Sequence, residues 1–369
     1  MVPIAFKNLF HERTRLILAV AGIAFAVVLI LILEGFSAGV FEQAAAYPKN
    51  SGAELFVIQD GVDGMQSARS IIPQSLESKL AQVKGVKHVA GVFAAPIMFE
   101  HRGLKTPVIL IGYRLLDKMG GPWKLDSGRA PRTGDEVVLD LAMAQRNNIS
   151  LGDKVEILGK KFKVVGLSRE TTSWMNPYVF IVRSEAVRLL SAPGSVSYFL
   201  IHLKSSADLG KAKRQTKALV DGYDVLTAKQ LANNDTAVLE DIMEAPLKVM
   251  VTIAYIIGTL VIGLTVYTAV FAKLREYGVI KAIGGANRQL YLIVIKQAII
   301  LTVLGFVFGT AFSFAVADRI VASYPQFFIA IDRTVILRTG LVALIMGLVA
   351  SIVPIRKISG VDPMSVFRG

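Results

Sequence analysis

Lys273–Arg288 reads KLREYGVIKAIGGANR and stands between two long apolar runs, Leu247–Phe271 and Leu290–Ala317. An α-helix needs about 20 apolar residues to cross a bilayer core, and each run is long enough. The two runs therefore form a hairpin of spanning helices that presents the polar stretch on one side of a membrane. Lys273, Arg275, Lys281 and Arg288 stand there against Glu276 alone, and short Lys/Arg-rich loops stay on the cytoplasmic side. If the stretch continues as helix, Val279, Ala282, Ile283, Ala286 and Leu290 share one face, with Lys273, Lys281 and Arg288 opposite. Gly284-Gly285 ends or bends that helix, since paired glycines are costly inside one. Physics alone leaves two readings open: a connecting loop that obeys the charge bias, or an amphipathic segment with a role of its own.

Outward from this hairpin, the composition fits a membrane protein. The 369 residues are 53% hydrophobic, with mean hydropathy +0.53, and the apolar residues are clustered. The net charge is +13. Lys7, Arg13, Arg15, Lys273, Arg275, Arg356 and Lys357 flank the apolar runs, which fits an anionic membrane surface better than nucleic acid. The chain has no Cys, hence no disulfide, thiolate metal site or Cys nucleophile.

Leu16–Leu33 carries no charge and follows Lys7, Arg13 and Arg15. It is longer than a secretory core of about 7–15 residues, so an uncleaved anchor is preferred to a signal peptide. The fourth apolar run is Val335–Val353. Residues 1–15, 273–289 and 356–369 all carry excess cations and share one side, which puts both termini in the cytoplasm. The expected order is an amphipathic N-terminal helix (1–15), a first span with the start of a stalk (16–39), an extracytoplasmic domain (40–226) and a stalk helix (227–246). A second span (247–272), the polar segment (273–289), a third span (290–317), a short outer loop (318–334), a fourth span (335–354) and a tail (355–369) follow. Within 40–226, short β-branched or aromatic runs bounded by Gly, Asp or Pro predict strands at Glu54–Gln59, Val89–Phe93, Thr106–Tyr113, Glu136–Leu139, Lys154–Ile157, Lys161–Gly166, Tyr178–Val182 and Tyr198–Leu203. Helices are expected at Gln74–Val83, Leu139–Arg146, Ser184–Ser191 and Asp208–Leu219, giving one or two α+β lobes. Pro246 is expected to kink the stalk junction. Gly305 and Gly309 in the third span have the spacing of a close helix contact, or are ordinary membrane glycines.

The order Glu276, Tyr277, Gly278, Lys281, Ala282, Ile283, Gly284 resembles the signature of the FtsX/MacB-like permease family, including its DevC-type members. The family's Arg three residues before the Glu falls on Lys273, with Arg275 beside it, and Gln297-Ala298 stands where Glu-Ala is common. Gly128, Arg129, Glu136, Val137, Val138, Ala144, Leu151, Gly152, Asp153, Val155, Val164, Val165 and Gly166 are similar to the pattern of a MacB-like periplasmic core domain. The start (Ile4, Ala5, Leu9, then a basic turn) and the ending (Pro354, Arg356, Asp362, Pro363, Arg368) match as well. The resemblance implies a four-span α-helical membrane protein with an inserted α+β extracytoplasmic domain. It also implies a non-ATPase permease subunit of a mechanotransmission (type VII) ABC system in an inner membrane. Lys273, Arg275, Glu276, Tyr277, Gly278, Lys281, Ala282, Ile283 and Gly284 would couple to an ATPase subunit.

No G-x-x-x-x-G-K-[ST] loop is present, so ATP and Mg²⁺ are expected on the partner and not on this chain. His11, His88, His101 and His202 are scattered. His88 and His101 could meet, but surface or strand positions are expected rather than a metal site. Gln59–Gly64 (QDGVDG) is too short for a calcium loop and reads as a turn. Glu34, in LILEGF at the outer end of the first span, is either an interfacial residue where the helix leaves the bilayer or a polar contact for an amphiphilic cargo. Trp174-Met175 with Pro177 is a candidate exposed tip, with packing against the lobe preferred. The expected assembly is a homodimer with two ATPase subunits, a HlyD-like periplasmic adaptor and an outer-membrane channel. Its expected activity is efflux or extraction of a lipid, glycolipid, lipoprotein or other amphiphile. The alternatives are an FtsX-like signalling subunit that activates a cell-wall hydrolase, and a membrane-anchored sensor or scaffold without an ATPase.

Overall fold

The computed structural model describes residues 13–65, 69–117, 119–173, 176–283, 285–324 and 327–359. The expected N-terminal helix around Ile4, Ala5 and Leu9, His11, the Trp174-Met175 tip, Gly284, and the ending at Asp362, Pro363 and Arg368 lie outside the described residues.

The chain starts with helix α1 (Arg13–Ala44), α2 (Ala46–Asn50), strands β1 (Leu55–Gln59) and β2 (Ile72–Pro73), and α3 (Leu76–Leu80). Strands β3 (Val86–His101), β4 (Leu104–Tyr113), β5 (Leu125–Gly128) and β6 (Glu136–Asp140) lead to α4 (Leu141–Arg146). Next come β7 (Lys154–Ile157), β8 (Lys160–Ser168), β9 (Thr172–Ser173), β10 (Asn176–Val182) and α5 (Arg183–Leu189). Strands β11 (Ser195–Val196) and β12 (Tyr198–Leu203), helix α6 (Leu209–Leu219) and strand β13 (Tyr223–Thr227) complete the sheet region. Helices α7 (Ala228–Phe271), α8 (Leu274–Ala282), α9 (Asn287–Ser323), α10 (Arg333–Ala350) and α11 (Ile352–Ser359) end the described chain. Two units result. One comprises Met1–Ala38, Ala245–Ala322 and Ile329–Gly369; the other comprises Gly39–Glu244 and Ser323–Phe328.

Among the described residues, four helical stretches are long and apolar enough to cross a membrane: Arg13–Ala44, Ala228–Phe271, Asn287–Ser323 and Arg333–Arg356. Helix α1 is the centre of this unit, with Ile23, Ala26, Val27, Ile30 and Leu31 fully buried. Lipid supplies little hydrophobic drive between helices, so close packing must hold them. Gly305 and Gly309 provide it: a Cβ on Gly305 would lie 2.4 Å from Ile23 Cγ2, and one on Gly309 2.8 Å from Ala24 O. Their spacing therefore marks the α1–α9 contact. The expected stalk helix and second span are one continuous helix, α7, with Pro246 in its interior. Helix α9 likewise runs six residues past Ala317, and α10 is capped by the Asp332 carboxylate, which accepts from Val335 N at 2.8 Å.

The other unit is built on one sheet of order β13-β1-β12-β3-β4-β10-β6-β8-β5, with β7 on β8 and β9 on β10. Strand β3 joins its two halves: Val86–Val92 pairs antiparallel with β12, and Phe93–His101 pairs antiparallel with β4. Where β12 ends, Ser197 Oγ takes over the ladder, accepting from Ala94 N and donating to Ala94 O at 3.0 Å each. One core gathers Tyr47, Phe56, Tyr178 and Phe180; another gathers Phe93, Phe99 and Phe162. Each expected strand is present, though β3 is far longer than Val89–Phe93. Strands β2, β5, β9, β11 and β13 were not foreseen. Helix α3 is shorter than Gln74–Val83, because only Leu80 on it is buried.

Candidate coupling site and a membrane ion pair

Helix α8 follows a tight turn at the end of α7, where Lys273 N donates to Val270 O at 3.0 Å. It ends at Ile283, and Gly285 N turns back to Ile280 O at 2.9 Å. This turn separates α8 from α9 and corrects the expected amphipathic face. Leu290 belongs to α9 and is fully buried, while Val279, Ala282, Ile283 and Ala286 are exposed, Val279 by 44% and Ile283 by 80%. The side of α8 that meets the bundle carries Lys273, Tyr277 and Gly278, with Ile280 and Lys281 half-buried. Helix α11 packs beside it. The signature thus splits into an anchoring side and a presented side.

Tyr277 is the anchor. It is 1% exposed, and its hydroxyl donates to Gln297 Oε1 of α9 at 2.7 Å. The amide at position 297 therefore has a role of its own: it satisfies a buried phenol. Lys273, also buried, pairs with Glu276 at 2.8 Å. Arg275 lies exposed on the helix and Arg288 on the first turn of α9.

At the other end of the bundle, Glu34 on α1 is 2% exposed. One carboxylate oxygen accepts from the Tyr255 hydroxyl of α7; the other accepts from Arg338 of α10, through Nε at 3.1 Å and Nη2 at 2.6 Å. The arrangement ties three spanning helices together. A carboxylate in an apolar helix is tolerated when it is paired in this way, and an Arg fork is suited to it. Sequence reasoning assigned no role to Arg338, and it marked Gln297 only as a departure from the common Glu-Ala. The signal for Arg338 was present, since it is the lone charge within Val335–Val353.

In the strand-rich unit, Arg129 grips Glu136 with two bonds of 2.7 and 2.5 Å, and Arg132 N donates to the same carboxylate at 2.7 Å. These donors, the Arg129 guanidinium above all, pull the Glu136 carboxyl down to about 2. Leu151-Gly152-Asp153 is a turn into β7: Gly152 has φ +93°, and Asp153 Oδ2 accepts from Ser150 N at 2.8 Å. Gly128 (φ +76°) lies where a Cβ would meet Val165 O at 2.3 Å. These matched positions shape the fold. His88 meets His202 across β3 and β12 rather than His101. His88 pairs with Asp117 at 3.0 Å and His202 with Glu54 at 3.1 Å. Among the described residues no His/Cys/Asp/Glu group has a metal-binding arrangement. Gln59–Gly64 begins with a turn, Val62 N donating to Gln59 O at 3.1 Å.

Four apolar helices with a strand-rich domain inserted after the first, and a short presented helix between the second and third, define a membrane permease architecture. A model described as the MacB-like periplasmic core domain matches residues 16–219, and one described as the FtsX-like permease C-terminal matches residues 248–363. The chain belongs to the FtsX-like ABC transporter permeases that carry a MacB-like periplasmic core domain. It is similar to an ABC transporter permease of Mycobacterium tuberculosis, 24% identical over 370 residues that cover the whole of both chains. A protein of Staphylococcus epidermidis whose name assigns it to a hemin transport system, HrtB, is 22% identical over 368 residues, 99% of each chain. The crystal structure of the periplasmic region of MacB from Actinobacillus actinomycetemcomitans covers 50% of this chain and 94% of its own, at 14% identity and TM-score 0.40. Together with the four apolar helices, these permease relatives describe an inner-membrane protein.

Proposed function

We propose that α8 is the contact through which this permease is driven by an ATP-hydrolysing partner subunit. The observation that carries the reading is the exposure of Val279 and Ile283 on a helix whose other side is fixed by Tyr277 to Gln297. An apolar patch rimmed by Arg275 and Arg288 suits a partner surface with an apolar hollow and an acidic edge. ATP and Mg²⁺ belong to the partner. Two copies of this chain pair through their first two spans, with two ATPase subunits below and both termini cytoplasmic. Closure of the ATPase pair displaces Lys273–Gly285, and α7, unbroken through Pro246, carries the displacement outward.

The cargo in this reading is an amphiphile moved outside the inner membrane. The hemin system named for one relative supports that class, since hemin is itself an amphiphile. Glu34 reaches cargo only if its bonds to Tyr255 and Arg338 open, so it acts first as a strut. A HlyD-like adaptor and an outer-membrane channel would complete an efflux route.

Co-purification of the intact chain with its ATPase tests the docking face. Ile283→Asp and Val279→Asp are expected to lower recovered ATPase by about tenfold or more, since each forces a carboxylate into an apolar contact. Glu136→Gln should leave recovery unchanged. If no ATPase accompanies the intact chain, the protein is a scaffold or sensor. An ATPase that binds without amphiphile movement, alongside an activated cell-wall hydrolase, makes it a signalling subunit.

A further inference from the structure

Arg333, Leu337, Gly340 and Leu344 recur at i, i+4, i+7 and i+11 of α10 and so share one stripe of its surface. Gly340 admits a close approach of α9: a Cβ there would lie 2.9 Å from the Phe306 ring. Beside that contact lies an apolar groove of about 320 Å³, lined in part by Val303, Phe306, Leu337, Gly340 and Leu344. Its volume is at the lower end of the ~300–1,000 Å³ typical of small-ligand sites, which suits one chain rather than a bulky body.

Two polar groups stand towards the Arg333 end. Thr310, one turn beyond Phe306 on α9, has a buried Oγ1 with no hydrogen-bond partner among the described residues. Arg333, one turn beyond Leu337, is exposed, and no carboxylate among the described residues pairs with it. The neighbouring Asp332 is turned back onto Val335 N. From Arg333 to Leu344 the helix rises about 16 Å, close to half of an about 30 Å hydrocarbon core. The stripe therefore spans one leaflet, with a cation at the surface and apolar walls beneath.

We propose that this groove holds an acyl chain of an anionic phospholipid from the leaflet on the Arg333 side. The headgroup phosphate pairs with the Arg333 guanidinium, whose planar fork matches it. A zwitterionic lipid fills the groove equally well but carries its own cation beside the phosphate, so the Arg333 contribution is weaker for it.

The test uses the full-length chain in vesicles with a tryptophan placed on the groove, Leu341→Trp, read as the difference in fluorescence from the parent chain. Dibrominated phosphatidylglycerol should quench this reporter with an apparent affinity about fivefold above that of dibrominated phosphatidylcholine. Arg333→Gln in the same background should abolish the difference. Leu337→Trp is a second groove reporter should the first fold poorly, and Phe308→Trp, on exposed α9 surface outside the groove, should show no lipid preference. Equal quenching by the two lipids at the groove overturns the site. So does a preference that survives Arg333→Gln, or one that Phe308→Trp shows equally. The readout needs no ATPase, so its failure leaves the coupling reading standing, and loss of the coupling reading leaves this one.

Discussion

In the strand-rich unit the largest buried side chains are aromatic, among them Tyr47, Phe56, Phe93, Tyr178 and Phe180, whereas the central helix of the membrane unit, α1, is met by Gly305 and Gly309. The solvent explains the contrast. In water, burial of large apolar surface is itself the driving force. In lipid that term is nearly absent between helices, so backbones must come close enough for dispersion to act. The polar pairs differ in the same sense. Glu34 is 2% exposed and joins three helices, while Glu136, itself buried, is held by an Arg129 side chain that is 40% exposed, so water competes for the cation.

Opposite substitutions should therefore damage the two units. The largest expected effect is Phe180→Ala, a cavity in the aromatic core costing about 3–5 kcal/mol. It should appear as an early transition of the strand-rich unit in thermal melts. In the membrane unit the damaging change is small to large. Gly305→Leu pushes against Ile23 and should cost about 1–3 kcal/mol, read as loss of the bundle in detergent. A melt unchanged by Gly305→Leu would show that α1 and α9 are not in close contact.

Polar pairs rank next. A double-mutant cycle with Glu34→Gln and Arg338→Gln should give a coupling of about 0.6–1.7 kcal/mol, the range found for bonds between spanning helices. Zero coupling would remove the strut role. The smallest effect belongs to Glu136. Its folded carboxyl titrates near 2, below its ordinary value of 4.5, so the folded chain favours the charged form. The contribution is complete above pH 4.5 and disappears as pH falls through 2. Solvent screening keeps it below about 1 kcal/mol. Acid unfolding of Glu136→Gln should lose stability relative to wild type at pH 6 and converge with it near pH 2. Parallel curves at both pH values would contradict the assignment.

The four spans were legible because charge-free runs longer than a bilayer thickness have few other uses. The signature residues Tyr277 and Gly278 were legible as a motif, but their direction was not. Gly284-Gly285 was legible as a helix end or bend, but a face continued across it from Val279 to Leu290 does not exist: Leu290 belongs to α9 and is buried, while Val279 and Ile283 are exposed. Strands such as Leu125–Gly128 and Tyr223–Thr227 escaped notice because their stability comes from the neighbours they pair with rather than from their own residues. Arg338 escaped for a related reason: Glu34 and Arg338 are 304 positions apart, and only the fold brings them together.

Coupling through α8 requires that Ile283 face the cytoplasm on a surface the ATPase covers. The chain has no cysteine, so Ile283→Cys gives a single label for a membrane-impermeant maleimide. Labelling is expected in inside-out vesicles and not in right-side-out ones, with protection when the ATPase is bound. Labelling from the outer face, or labelling that bound ATPase does not diminish, would rule out coupling through α8.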